Sequence, residues 1–156
     1  MYSRRVAATR WLSADEQRAW RAYIQSSKVL FDALDRQLQR DADMPHAYYE
    51  ILVALSEADD RSMRMSELAE RTLSSRSRLS HAVARLEERG WVVRDECPTD
   101  RRGQIARLTD LGFRTLAEAA PGHVEAVRHY LIDVLTPEQL EQLDAISRAV
   151  IAKITA

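Results

Sequence analysis

Residues Arg61 to Thr109 read RSMRMSELAERTLSSRSRLSHAVARLEERGWVVRDECPTDRRGQIARLT. Met65, Leu68, Ala69 and Leu73 recur at helical spacing, with Ser66 placed to cap the start. Thr72 to Ser75 has turn and cap chemistry. A second helical pattern puts Leu79, Val83 and Leu86 on one face. It leaves Arg76, Ser77, Arg78, Ser80, His81, Ala84 and Arg85 around the remaining surface. Gly90 suits a helix stop, because glycine accepts the left-handed conformation needed there. Trp91, Val92 and Val93 then read as a strand, Cys97 to Gly103 as a turn with Pro98 and Asp100, and Gln104 to Leu108 as the return strand. Thr109 is placed to cap a further helix. A short helix, a longer basic helix and a two-stranded ribbon in this order predict a winged helix-turn-helix. The second helix suits a DNA groove, and the ribbon suits the groove beside it.

Charge is uneven along the chain. The 156 residues carry a formal net charge of −1. Residues 61–109 hold 11 arginines and 7 acids, a local balance of +4, while the remainder holds 12 basic and 17 acidic residues, a balance of −5. A basic module on an acidic body is the electrostatic footprint of phosphate binding. A solvated, salt-bridged surface gives the same count, so the order of elements tips the balance. Lysine occurs only at Lys28 and Lys153. A guanidinium donates two parallel hydrogen bonds to a phosphate or a guanine edge, which makes the placement of arginines on the second helix and wing tip more telling than their number.

The runs SELAERTLSSRSRLSHAVARLEERGWVVR and CPTDRRGQIARLTDLG resemble the winged-helix domain of the MarR family of bacterial transcriptional regulators. Leu86, Glu87 and Gly90 match the end of that family's recognition helix. Asp100, Arg102, Ala106 to Thr109 and Gly112 match its wing and the residues just beyond the wing. The resemblance implies that Arg102 reaches into a minor groove, whose narrow form concentrates negative potential. It makes Asp100 an acceptor that orients neighbouring arginines, although aspartate also suits a turn for its own sake. Arg101 is expected to meet phosphate. Ser75, Arg76, Ser77, Ser80 and His81 occupy positions where family members present groove-facing side chains, with Arg78 beside them. Many members carry arginine where His81 stands, and histidine can still donate to a base or phosphate. Arg85 reads as a phosphate contact or a helix-surface ion-pair partner.

The flanks read as a helical dimerisation body, residues 11–41 and 110–156, around a DNA-binding lobe at 45–109. Ser13 and Glu16 form a capping-box pattern, and Trp20, Tyr23, Ile24, Leu30, Phe31, Leu34 and Leu38 line one face of a long helix. Asp43, Met44 and Pro45 break the chain before a helix with Tyr48, Tyr49, Ile51, Leu52 and Leu55. A helix is expected from Asp110 to about Leu135, with a bend near Pro121 and Gly122. Thr136, Pro137 and Gln139 start a last helix, striped by Leu140, Leu143, Ile146, Val150, Ile151 and Ile154. Packing within one chain is the default for such a stripe; the resemblance implies a homodimer interlocked through its first and last helices. The fold class is therefore mainly α, a winged helix-turn-helix with a small β-hairpin wing flanked by long N- and C-terminal dimerisation helices.

Composition is that of a helix-rich globular chain, 46% hydrophobic and 30% charged. No apolar run spans a bilayer and no secretory signal is evident, which leads to an expected cytoplasmic location without a membrane partner. Met1 to Arg10 reads as a frayed tail, or as an arginine arm touching DNA. Cys97, the single cysteine, follows Asp95 and Glu96, which disfavour a thiolate, and reads as structural rather than as an oxidant sensor. His46, His81, His123 and His129 form no metal-ligand pattern with it, and no phosphate loop, dinucleotide fingerprint or nucleophile elbow occurs. No enzyme activity, cofactor or metal is expected.

The resemblance implies a homodimeric repressor of double-stranded palindromic operators, released by a small aromatic or phenolic effector. Trp20, Tyr23, His46 and Tyr49, with Trp11 and Tyr48, are the candidate pocket residues, and Arg21 or His46 the partner of a ligand carboxylate. Core or interface packing is the competing use of these aromatics. The alternative function is a winged-helix module that binds a protein partner and has no specific operator.

Overall fold

A computed structural model of the chain describes residues 9–97 and 100–155, without the side chains of residues 97 and 100–102. Among the described residues, helix α1 spans Ala14–Ala42, α2 His46–Ser56, α3 Met65–Arg71, α4 Arg76–Glu88, α5 Asp110–Tyr130 and α6 Pro137–Thr155. Strands β1 (Ser62–Arg64), β2 (Val92–Cys97) and β3 (Asp100–Leu108) form one antiparallel sheet in the order β1-β3-β2.

The helix starts arise from local chemistry. Ser13 and Glu16 close a reciprocal capping box on α1: Ser13 N–H donates to Glu16 Oε2 at 2.7 Å, and Glu16 N–H to Ser13 Oγ at 3.2 Å. Thr136 and Gln139 repeat the device at α6. At α2, Pro45 occupies the N-cap and has no side-chain acceptor to offer. Asp35 of α1 supplies the acceptor instead, taking the His46 N–H at 2.8 Å. Gly90 stands at φ +71° beyond α4, as expected of the stop.

Four boundaries differ from the expected ones. Met65 opens α3, with Arg64 at the N-cap, so Ser66 lies inside the first turn and does not cap it. The return strand begins at Asp100, and Cys97 pairs with Asp100 across a register shift after Glu96. Main-chain hydrogen bonds carry the ribbon towards its tip without an apolar pattern to announce it. Helix α5 runs unbroken through Pro121 and Gly122 but ends at Tyr130, before a single 3-10 turn at Ile132–Val134. Ser62–Arg64 adds a third strand, pairing Met63 with Ala106, so the wing is the outer part of a three-stranded sheet rather than a free ribbon. Three residues carry too little alternation to reveal a strand.

The core is one cluster. Leu52 and Leu55 of α2, Leu68 of α3, Leu79, Val83 and Leu86 of α4, and Val92, Ala106 and Leu108 of the sheet are buried together, and Leu38, Met44, Leu116 and Ala119 join them from the flanks. Burying a leucine stabilises by roughly 1.5–3 kcal/mol, so this cluster fixes α4 against the sheet. Helix α6 has no buried residue: Ile146, Val150, Ile151 and Ile154 lie open, as do Trp20, Tyr23 and Phe31 of α1. The C-terminal stripe is thus not packed within one chain. Among the described residues no helix is long and apolar enough to cross a membrane.

Candidate nucleic-acid interface and ligand cleft

Helices α3 and α4 are joined by a tight turn at Thr72–Ser75, in which Leu73 is left-handed (φ +49°) and Ser74 N–H reaches back to the Ala69 carbonyl at 2.9 Å. Ser75 ends the turn as N-cap of α4, its Oγ accepting the Arg78 N–H at 3.3 Å. That hydroxyl therefore has a structural task at a position expected to face a groove. With Leu79, Val83 and Leu86 buried, α4 exposes Arg76, Ser77, Arg78, Ser80, His81 and Arg85. Arg85 donates to Glu88 at 2.8 Å, and this bond favours its charged form. Among the described residues Arg76 and Arg78 make no ion pair, so their donors remain available.

The wing is held in register with α4. Glu87 accepts two hydrogen bonds from Arg94 of β2, from the backbone N–H at 3.0 Å and from Nε at 2.7 Å. Thr109 ties the base of the wing to α5: its N–H donates to the Trp91 carbonyl at 3.0 Å, and its Oγ1 accepts the Gly112 N–H at 3.0 Å. Between α4 and β3 runs a groove of about 370 Å³, lined by Arg64, Ser66, Arg76, Ser80, Gly103 and Gln104. Arg64 and Gln104 were not singled out in the sequence, because only the fold brings β1 and β3 beside Arg76. Asp100, Arg101 and Arg102 belong to β3, but their side chains, like that of Cys97, lie outside the described residues, as do Arg4 and Arg5 of the N-terminal tail.

The four aromatic candidates divide. Trp20 and Tyr23 lie together on α1, ring centres 6.5 Å apart and more than half exposed, and Trp20 lines a depression with Arg21, Ile24 and Lys28. Trp11 is 83% exposed. His46 and Tyr49 lie elsewhere, in a cleft of about 350 Å³ between α2, the α3–α4 turn and α5. Within one chain the four therefore line two separate depressions, and of the two alternative carboxylate partners Arg21 lies with Trp20 and His46 with Tyr49: successive turns of α1 carry Trp20 and Tyr23 along an uncovered face. Sequence reasoning missed His123 of α5, whose ring centre is 4.4 Å from that of Tyr49 and 5.4 Å from that of His46. Its signal was a lone histidine on a helix with small apolar neighbours, which does not reveal a partner 77 residues away. Burial and the charge of a protonated His46 push the His123 pKa down, and burial pushes the Tyr49 hydroxyl up. No group of three or more histidine, cysteine or acidic side chains among the described residues is arranged to hold a metal ion.

Comparison with known proteins agrees with this architecture. The sequence model of the MarR family matches residues 42–103. A crystal structure of Sco3205, a MarR family transcriptional regulator from Streptomyces coelicolor, in complex with DNA, is 57% identical, covers 92% of this chain and 90% of its own, and superposes with a TM-score of 0.89. AbsC, a MarR family regulator from the same organism, is 42% identical at a TM-score of 0.89, over 94% of this chain and 99% of its own. The HTH-type transcriptional regulator YfiV of Bacillus subtilis is 30% identical over 88% of this chain and 86% of its own length. The transcriptional repressor MprA of Escherichia coli is 31% identical over 66% of this chain, but that match spans only 58% of MprA. These relatives are transcriptional regulators rather than enzymes, and the chain belongs to the MarR family.

Proposed function

We propose that this protein is a cytoplasmic, homodimeric regulator that represses transcription by binding palindromic operators in double-stranded DNA. The lobe at 45–109 binds DNA, and residues 11–41 and 110–156 form the dimer. The observation that carries the proposal is the free polar face of α4. Arg76, Ser77, Arg78, Ser80 and His81 are exposed beside a groove shared with the wing, and neither Arg76 nor Arg78 has an ion-pair partner among the described residues. The Streptomyces relative crystallised with DNA supports it. The uncovered apolar faces of α1 and α6 support a second copy as their cover, since large exposed apolar surface marks an interaction site. A two-fold dimer sets two recognition helices one DNA turn apart, about 34 Å, and so favours palindromes. A small aromatic effector held in the His46–Tyr49–His123 cleft would release DNA by favouring a different helix spacing, provided it binds the two arrangements unequally.

Selection of bound fragments from a genomic library, run with wild type, Arg102→Ala and Arg76→Ala, tests the proposal. Wild type should recover one palindromic motif. Each variant should bind it at least tenfold more weakly. If Arg76 meets a phosphate, its removal should also reduce the slope of log affinity against log salt by about 1. Recovery of no motif refutes operator binding.

A further inference from the structure

The cleft of about 350 Å³ lined by His46, Tyr49, Glu50, Glu57, Arg71 and His123 has a chemical bias that its aromatic walls alone do not reveal. The charge of its guanidinium is already balanced: Arg71 donates a hydrogen bond to Glu57. The Glu50 carboxylate makes no hydrogen bond among the described residues, and His46 Nδ1 stands 3.7 Å away, outside hydrogen-bond reach. The cleft lining therefore carries two carboxylates and one guanidinium.

The tautomer of His123 sharpens the bias. Gln37 donates its amide Nε2 to the Asp41 carboxylate at 3.0 Å, which leaves Oε1 as the atom facing His123 Nδ1 at 3.1 Å. An amide oxygen only accepts, so Nδ1 carries the proton and Nε2 of the neutral ring is a lone-pair acceptor. His123 as a residue is 7% exposed, and its Nε2, which makes no hydrogen bond among the described residues, is not a buried unpartnered atom and so opens to solvent. Burial pushes the pKa of the ring down and so favours its neutral form. The Thr72 hydroxyl donates to the Leu68 carbonyl at 2.8 Å, which leaves its lone pairs. The cleft is thus lined by aromatic rings with acceptors among them.

We infer that this cleft binds a planar aromatic cation that donates hydrogen bonds, an aromatic amine or amidine, in preference to an aromatic carboxylate. Such a molecule stacks on the Tyr49 and His123 rings, meets Glu50 with its charge and donates to His123 Nε2. A carboxylate would have to share with Glu57 a guanidinium whose charge is already balanced, in a cleft that Glu50 also lines. Thr72 and Leu73, which line the cleft or its edge, lead directly into the Ser75 cap of α4, so an occupant touches the approach to the recognition helix. The ligand class rests on the cleft being the effector site proposed above.

Titration calorimetry of the full chain at pH 7.5, without DNA, tests it with p-aminobenzamidine and salicylate as probes of similar size. The amidine should bind at least tenfold more tightly than salicylate. Glu50→Gln, at a half-exposed position, should weaken the amidine about tenfold and leave salicylate unchanged or stronger. Glu57→Gln should free Arg71 and strengthen salicylate. Tighter binding of salicylate by wild type, an amidine affinity indifferent to Glu50→Gln, or no binding of either probe overturns the inference. The same titration repeated on the protein bound to its selected DNA separates the two proposals. Glu50-dependent amidine binding that leaves the DNA complex intact upholds the ligand class and refutes the effector role.

Discussion

Gly112→Ala should destabilise the protein by about 2–3 kcal/mol, although alanine is the better helix former by roughly 1 kcal/mol. Gly112 is the third residue of α5, and the helix start presses on the base of the wing there. A Cβ at this position would stand 2.1 Å from the Trp91 carbonyl oxygen, 2.9 Å from its carbon and 2.8 Å from Leu108 Cδ1. The first two contacts are with backbone, so no side-chain rotation relieves them. The helix must retreat by roughly 1 Å to restore normal separations. Retreat loosens the Thr109 N–H bond to that same Trp91 oxygen, 3.0 Å long in the wild type. A backbone contact of 2.1 Å puts the overpacking in the upper part of its usual range, at about 2.5 kcal/mol, and a weakened hydrogen bond adds about 0.5–1.5 kcal/mol. After the gain in helix propensity, the net corresponds to a fall in Tm of about 5–10 °C for a chain of this size. Thermal unfolding followed by circular dichroism, at one fixed protein concentration, measures it. Gly122→Ala is the internal control. It lies in the same helix, where a Cβ would meet only Gln37 Nε2 at 3.6 Å, an ordinary contact. That variant should gain about 0.5–1 kcal/mol and melt slightly higher. A Gly112→Ala protein that melts within about 2 °C of wild type, or a Gly122→Ala protein that falls as far, would refute the reasoning.

Glu87→Ala removes both acceptors of Arg94 and should cost about 1–2 kcal/mol in urea unfolding, discounted because both side chains are partly exposed; Glu87→Gln should recover part of it, and an alanine variant as stable as wild type counts against the clamp. His123 gives a pH dependence of definite sign. Its folded pKa lies below the unfolded value of about 6.5. The unfolded chain therefore takes up the proton first, and the stabilising contribution is complete above pH ~6.5 and declines as pH falls towards the folded pKa. His46, Glu50 and Tyr49 of α2, and Asp41 through Gln37, are the titratable groups around it. The drop in Tm between pH 7.5 and 5.5 should be smaller in His123→Gln than in wild type; an equal drop in both excludes His123 as its source.

Local chemistry wrote much of this fold into the sequence. The Ser13–Glu16 and Thr136–Gln139 boxes act between residues three apart, and the left-handed Gly90 depends on its own missing side chain. The spacing of Leu79, Val83 and Leu86 alone decides which face of α4 is buried, and so which residues face outward. The glycine at position 112 was visible as a motif, but its reason was not: the atoms that forbid a Cβ belong to Trp91 and Leu108. β1 escaped notice because a three-residue strand is stable only through its pairing with β3. The candidate ligand residues show the limit most clearly. Aromatic residues on α1 and α2 look equivalent as letters, yet Trp20 and Tyr23 point along an open face while His46 and Tyr49 turn towards His123. The sequence by itself determined the order of the helices, their caps, their buried faces and the polar surface of the recognition helix, because these depend on neighbours within one or two turns. The tertiary structure alone decided the cleft, the sharing of Arg71 with Glu57, the proton position on His123 and the groove that joins Arg64 and Gln104 to Arg76. These depend on side chains that meet across tens of residues, and chain separation leaves no periodic trace of such meetings.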